Sequence, residues 1–242
     1  MKDSHLETAN LSRSFGPVEA LRDVNLRILR GEFVAIVGPT GCGKTTLLSL
    51  FSGFDSPTSG RVTRGGRVRT VFQRDGLFPW LSCADNIALG LRGLSDSAAR
   101  REQLQKLLDL IHLNGFADRY PHQLSGGMRQ LVELARAIAG DSDILLMDEP
   151  FSALDYLSRL RMRGELIRLL HECPRTVVFV THDIEEAAQL ADRIIVFSER
   201  PGRIRSELSI SVPKPRSPTD ERVVETVRRI LLEMGVESSS AL

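Results

Sequence analysis

The chain has 242 residues, 42% hydrophobic and 26% charged, a globular balance that excludes a disordered or collagen-like protein. Lys plus Arg number 32 and Asp plus Glu 31, a formal net charge of +1. The basic excess of a nucleic-acid-bound protein is therefore missing, and no nucleic-acid partner is expected.

The longest apolar run, Phe33–Val37, falls well short of the roughly 20 residues of a membrane helix. The first six residues lack a charged leader followed by an apolar core, so no secretory signal is expected. Cys42, Cys83 and Cys173 are odd in number and widely spaced. They fit neither a disulfide framework nor a zinc knuckle, and they predict a reducing, cytoplasmic setting.

In chain order, the first thirty residues alternate polar and apolar and read as strands, with a turn at Gly16-Pro17. Phe33–Val37 is apolar on both faces, as in a strand buried inside a parallel sheet. After a Gly-rich loop, Lys44–Ser52 reads as a buried helix and Asp55–Gly60 as a turn. Val68–Phe72 reads as a strand. Cys83–Leu91 and Asp96–Ile111 read as helices, the second with a stripe of Leu104, Leu107, Leu108 and Ile111. Ser125–Ala139 is predicted helical, Ile144–Met147 a buried strand, Asp155–Leu170 a helix and Thr176–Val180 a strand. A helix over Ile184–Ala191 is expected to be capped by Asp183, with Glu186 as the reciprocal partner. Arg193–Phe197 reads as a strand. Val212–Pro218, with three prolines, reads as a linker before a last helix faced by Val223, Val227, Ile230, Leu231 and Met234. The tail Ser238-Ser239-Ser240 is expected to fray. Strands alternating with helices argue an α/β core with a parallel sheet.

Gly38-Pro39-Thr40-Gly41-Cys42-Gly43-Lys44-Thr45 matches G-x-x-x-x-G-K-[ST] at every fixed position, between a strand and a helix as the motif requires. Glycines let successive backbone N–H groups turn inward on a phosphate, and the helix N-terminus adds partial positive charge. Lys44 is suited to the β- and γ-phosphates and the Thr45 hydroxyl to Mg²⁺. Ile144–Met147 runs into Asp148 and Glu149. The first acid suits the metal and the second a general base acting on water.

Leu124-Ser125-Gly126-Gly127-Met128 then narrows the class. It resembles the signature of ABC-type ATPases, usually L-S-G-G-Q, with Met128 in place of Gln. Ser125, Gly126 and Gly127 at a helix start form a second anion cradle. The resemblance extends from about Leu6 to Gly202. It implies that Gln73 senses Mg²⁺ and the attacking water, and that Ser152-Ala153-Leu154-Asp155 crosses a dimer interface. It also implies that His182 contacts the γ-phosphate and that Phe15 stacks on adenine, for which a π-face suffices. Nucleotide contacts are expected at Phe15, Gly38, Pro39, Thr40, Gly41, Cys42, Gly43, Lys44, Thr45 and Thr46 of one copy and at Ser125, Gly126 and Gly127. The expected metal ligands are Thr45, Gln73 and Asp148, and the expected catalytic groups are Glu149, His182, Gln73 and Lys44.

Leu77–Ser82, Asn86-Ile87-Ala88, Met147–Asp155 and Arg200-Pro201-Gly202-Arg203-Ile204 are similar to the ATPases of nitrate-, sulfonate- and taurine-type importers. The fold implied is a P-loop NTPase of ABC type. A mostly parallel core sheet is flanked by helices, with an N-terminal antiparallel β subdomain and a helical insert at about residues 83–139. The ATPase domain is expected over residues 1–205 and a C-terminal extension over 206–242. The function implied is ATP hydrolysis by a head-to-tail homodimer at the cytoplasmic face of the inner membrane. It would drive uptake of a small anionic or sulfonate-like solute through a separate permease, with an extracytoplasmic substrate-binding protein acting indirectly. The alternative is a soluble ABC ATPase of repair or assembly machinery. Repair ATPases usually carry a long coiled coil between phosphate loop and signature, and the stretch from Lys44 to Ser125 is too short for sustained heptads.

Overall fold

Alternation builds the N-terminal strands. Val24, Leu26 and Ile28 are buried while Asp23, Asn25 and Arg27 face solvent, the period-2 pattern of a sheet with one covered face. In the computed structural model, which describes residues 3–72 and 76–235, strands β1 (Ser4–Phe15), β2 (Val18–Leu29) and β4 (Ser59–Arg64) form an antiparallel sheet of order β2-β1-β4. Gly16, at φ 56°, makes the tight turn that pairs Phe15 with Val18.

The second sheet has six strands in the order β5-β6-β7-β3-β8-β9. These are β3 (Phe33–Val37), β5 (Val68–Val71), β6 (Ile144–Asp148), β7 (Thr176–Val180), β8 (Arg193–Phe197) and β9 (Ile204–Ser209). All neighbours are parallel except β9, which runs antiparallel to β8 at the edge. β3, β6 and β7 are buried at every residue because both faces are covered. Phe33, Ala35 and Val37 point into one core with Leu145, Met147, Val177 and Phe179. Val34 and Ile36 point into the other with Leu146, Val178, Leu47 and Phe51. The second core joins the two sheets through helix α1 (Lys44–Ser52).

On the opposite face pack α2 (Cys83–Ala88), α3 (Ser97–Leu110), α4 (Gly126–Ala139), α5 (Tyr156–Glu172), α6 (Ile184–Leu190) and α7 (Glu221–Met234). A side chain caps the N-terminus of each of them, as capping chemistry predicts. Asp96 accepts from Ala98 N–H, Ser125 from Met128 N–H, Asp155 from Ser158 N–H and Asp183 from Glu186 N–H. The reciprocal half of the expected capping box at α6 does not form. The Glu186 carboxylate instead accepts from the buried Thr181 hydroxyl at 2.7 Å, and Asp183 N–H donates to the oxygen of that hydroxyl. The predicted helix Cys83–Leu91 ends as α2 at Ala88 and continues as a 3₁₀ turn over Leu89–Leu91. Strands β4 and β9 are not among the elements predicted from sequence.

The segment between β9 and α7 is fastened by one buried cation. Arg216, 8% exposed, donates to the carbonyls of Val212 (2.8 Å), Ala188 (3.0 Å), Gln189 (3.4 Å) and Ala191 (2.6 Å). Three of these lie at the C-terminus of α6, where carbonyls lack intrahelical partners. Arg216→Met is expected to lower the unfolding free energy by about 2 kcal/mol, the scale of hydrogen bonds to a charged group. Urea denaturation measures this, and a midpoint unchanged from the parent would show that other contacts hold the strap.

Candidate nucleotide site

Because β6, β7 and β3 are parallel, their carboxyl ends share one edge of the sheet, where ligands of open α/β folds bind. The register is direct, with Ile36 opposite Val180 and Asp148 opposite Val180 on the other side. The next residues of the three strands are therefore the Gly38–Lys44 loop, Glu149 and Thr181-His182. Glu149 N–H donates to Val180 O at 2.8 Å and fastens two of these ends together.

A cleft of about 580 Å³ opens there, lined by Phe15, Val18, Ala20, Thr40, Gly41, Gly43, Lys44, Thr45, Thr46, Glu149, His182 and Arg200. Gly43 is the N-cap of α1 at φ 105° and no side chain caps the helix. A Cβ on Gly43 would sit 2.8 Å from both Ala20 O and Leu21 Cδ2, so the approach of the loop to β2 requires glycine. Lys44 is buried, and its ammonium donates to Gly38 O (2.8 Å) and Pro39 O (3.0 Å). This folds the cation back across the loop. Gly38 and Cys42 are buried behind the loop, and Pro39 is half-buried beside them. Burial pushes the Cys42 thiol pKa up, against the opposing pull of Lys44.

Asp148 is buried beneath the loop and accepts a hydrogen bond from Thr45. Burial raises its pKa, the Thr45 bond opposes this, the Glu149 charge adds to it, and Lys44 opposes it. A buried carboxylate held against a hydroxyl, with a second acid beside it, is a hard-oxygen donor set that favours a divalent cation such as Mg²⁺. Among the described residues no group of three or more His, Cys, Asp or Glu is suited to hold a metal. An ion here would take its remaining ligands from phosphate and water, the usual habit of Mg²⁺.

Glu149 sits at φ 46°, in the left-handed region that a residue with a Cβ rarely adopts. Its Oε2 is 3.1 Å from His182 Nδ1. Phe15 is 49% exposed and carries the Arg13 guanidinium 4.4 Å from its ring centroid. Gln73 lies outside the described residues.

Ser125, Gly126 and Gly127 line a different cleft, of about 610 Å³, with Met128, Ala153, Leu154 and Asp155. The two clefts share no lining residue. The sequence brings Lys44, Thr45, Asp148, Glu149, His182 and Phe15 together and leaves the serine cradle apart. Val18, Ala20 and Arg200 belong to the cleft without having been singled out as contacts. For Arg200 the available signal was the Arg-Pro-Gly run quoted above.

A third feature is the Phe78–Ser82 turn. Asn86, fully buried, donates from its side-chain amide to Phe78 O (3.1 Å), Leu81 O (3.1 Å) and Ser82 O (3.0 Å), and accepts from Phe78 N–H (2.9 Å). This holds up Trp80, 68% exposed, with Phe78 at a ring separation of 5.3 Å. A groove of about 520 Å³ runs past them between Arg69, Phe72, Arg92 and Arg136.

A glycine-rich loop opening a helix beside a strand-end acid pair defines a phosphate-loop nucleoside triphosphatase. Residues 21–152 match the ABC transporter family. The chain is 42% identical over 231 residues to the aliphatic sulfonates import ATP-binding protein SsuB 1 of Agrobacterium fabrum, covering 93% of this chain and 83% of that one. It is 44% identical over 222 residues to the nitrate import ATP-binding protein NrtD of Synechocystis sp., covering 86% and 84%. A dimeric structure of a bacterial ABC transporter cassette superposes with a TM-score of 0.74 at 33% identity, covering 86% of this chain and all of that one. The chain belongs to the ABC transporter family, as an ATPase cassette whose hydrolysis of ATP is coupled to transport.

Proposed function

We propose that this chain is the ATP-hydrolysing subunit of an importer for a small anionic or sulfonate-like solute. It would bind peripherally at the cytoplasmic face of the inner membrane, with a separate permease and an extracytoplasmic substrate-binding protein. The single observation that carries the reading is the division of labour between clefts. The phosphate loop, Glu149 and His182 meet in one, with Asp148 buried beneath and bonded to Thr45, while Ser125–Gly127 open on another. Two copies in a two-fold, head-to-tail pair would set each serine cradle against the other copy's phosphate loop. The names of the sulfonate and nitrate relatives support an importer over a repair or assembly ATPase. No helix among the described residues is long and apolar enough to cross a membrane, in keeping with a separate permease.

In this reading the loop N–H groups and Lys44 hold the β- and γ-phosphates and offset charge as the γ-phosphoryl transfers. Phe15 offers its ring to adenine. Asp148 and the Thr45 hydroxyl, with Gln73, would hold Mg²⁺, whose chemistry there is to neutralise phosphate charge. Glu149 orients the attacking water and accepts its proton. His182, with Nδ1 3.1 Å from the Glu149 carboxylate, steadies the γ-phosphate. ATP favours the closed pair through bonds from Ser125, Gly126 and Gly127 of the opposite copy, absent when the pair is open.

The Phe78–Ser82 turn and its groove form the permease contact, with Trp80 as the aromatic anchor. Co-purification from membranes tests this directly. The expected result is a multispan subunit recovered with this chain. Trp80→Ala is expected to weaken that recovery by the roughly 2 kcal/mol of an interface hot spot while the isolated subunit still hydrolyses ATP. Recovery without any membrane subunit would sink the importer reading.

A further inference from the structure

Behind His182 lies an ion network that the phosphate chemistry does not call for. Arg163, on α5, is 3% exposed at its side chain, and its Nη2 is 3.0 Å from Asp183 Oδ2 and 3.5 Å from Glu186 Oε1. Arg159, one turn earlier, donates to the same Asp183 oxygen at 3.1 Å. Glu186, 4% exposed at its side chain, accepts from the Thr181 hydroxyl. The same hydroxyl oxygen accepts from Asp183 N–H at 3.0 Å, and Asp183 Oδ1 accepts from Glu186 N–H at 3.1 Å. Both neighbours of His182 are therefore held by their side chains, while the imidazole itself projects outward, 55% exposed, to Glu149.

Stability alone does not account for this arrangement. Burying ions is costly, and well-packed apolar side chains in their place are often neutral or stabilising. Burial indeed raises the Glu186 pKa, with the Thr181 bond and the arginines working against it. An apolar cluster would pack α5 against α6 equally well. It would not fix the backbone of Thr181–Asp183 in one geometry, because dispersion contacts are non-directional whereas the charged hydrogen bond from Arg163 Nη2 to Asp183 Oδ2 is directional.

We propose that Arg163 is a positioning residue for hydrolysis. By gripping Asp183 and Glu186 it sets the Thr181–Asp183 backbone and so aims the His182 imidazole at Glu149 and the γ-phosphate. The proposal rests on the role given to His182 above. Arg163 is not among the residues that line the nucleotide cleft, so its effect passes through His182.

Steady-state ATP hydrolysis by the full chain tests it as a double-mutant cycle. Arg163→Met, which keeps length and removes charge, is expected to lower kcat about tenfold with KM for ATP within about twofold, the pattern of lost orientation rather than lost binding. In a His182→Ala background the same substitution is expected to cost nothing further. Arg163→Lys, which returns a cation to the shared oxygens, is expected to recover most of the rate. Should Arg163→Met fail to fold, Glu186→Gln, isosteric with the native residue, enters the same cycle. An Arg163→Met enzyme with unchanged kcat, or losses that multiply in the double variant, overturns the proposal while leaving His182 in its role. A His182→Ala enzyme at full rate overturns that role first and the positioning proposal with it.

Discussion

Glu149→Gln is expected to bind ATP and to hold it without turnover. Glutamine keeps the length of the side chain and loses the base. General-base catalysis contributes about 10²–10⁴-fold, so kcat is expected to fall by that factor. The φ of 46° costs backbone strain that the surroundings must offset. They do so through Glu149 N–H to Val180 O and through the Glu149 carbonyl, which accepts from Ser152 N–H (3.2 Å) and the Ser152 hydroxyl (2.9 Å). None of these bonds uses the carboxylate, so the variant is expected to keep its fold. With hydrolysis blocked, the ATP-bridged pair persists. Light scattering with Mg-ATP is expected to show twice the monomer mass for the variant. A variant that stayed monomeric, or hydrolysed ATP at the parent rate, would remove both Glu149 as base and the shared-pocket arrangement.

Gly202→Ala is expected to be nearly as damaging, from outside the phosphate loop. The segment after β8 returns alongside β2, with Gly202 N–H donating to Ala20 O (2.9 Å) and Gly202 O accepting from Arg22 N–H (3.0 Å). The glycine lies directly against the Cys42 carbonyl, and a Cβ would overlap that oxygen and also press on Leu21 and Phe197 at 3.2 Å. Cys42 is inside the phosphate loop, and Gly43 beside it is itself closed in by Ala20 and Leu21. With no room to retreat, the loop must shift. Overpacking costs about 1–3 kcal/mol in stability, and displacement of a positioning element by about 1 Å can cost about 10²-fold in rate. Thermal unfolding and ATP kinetics together check this. An alanine variant with parental KM and kcat would show that the contact yields freely.

Much of the site was legible because each part carries local chemistry. The phosphate loop needs its glycines at fixed spacing, the Ile144–Met147 run predicts a strand ending in acids, and caps such as Ser125 and Asp155 mark helix starts. Tertiary contacts were less visible. Strand β4, with Arg61, Thr63 and Arg64 exposed, has too few apolar residues to show alternation and exists because it pairs with β1. Strand β9 reads as polar because it is an edge strand packed mainly through Leu208. Arg216 and Arg163 look like ordinary surface cations in the sequence, since their partners are carbonyls and acids on other elements. The roles of Asn86 and Gly202 likewise depend on what folds against them.

Within one chain, the serine cradle and the phosphate loop line separate clefts, and in the proposed head-to-tail pair each completes the other copy's. A lesion at Ser125 would then spare the bearer's own triphosphate grip and injure its mate. When damaged and intact subunits mingle, inheritance of the fault is crossed: a chain broken at Lys44 and a chain broken at Ser125 would together restore one whole compartment, whereas neither could do so with its own kind.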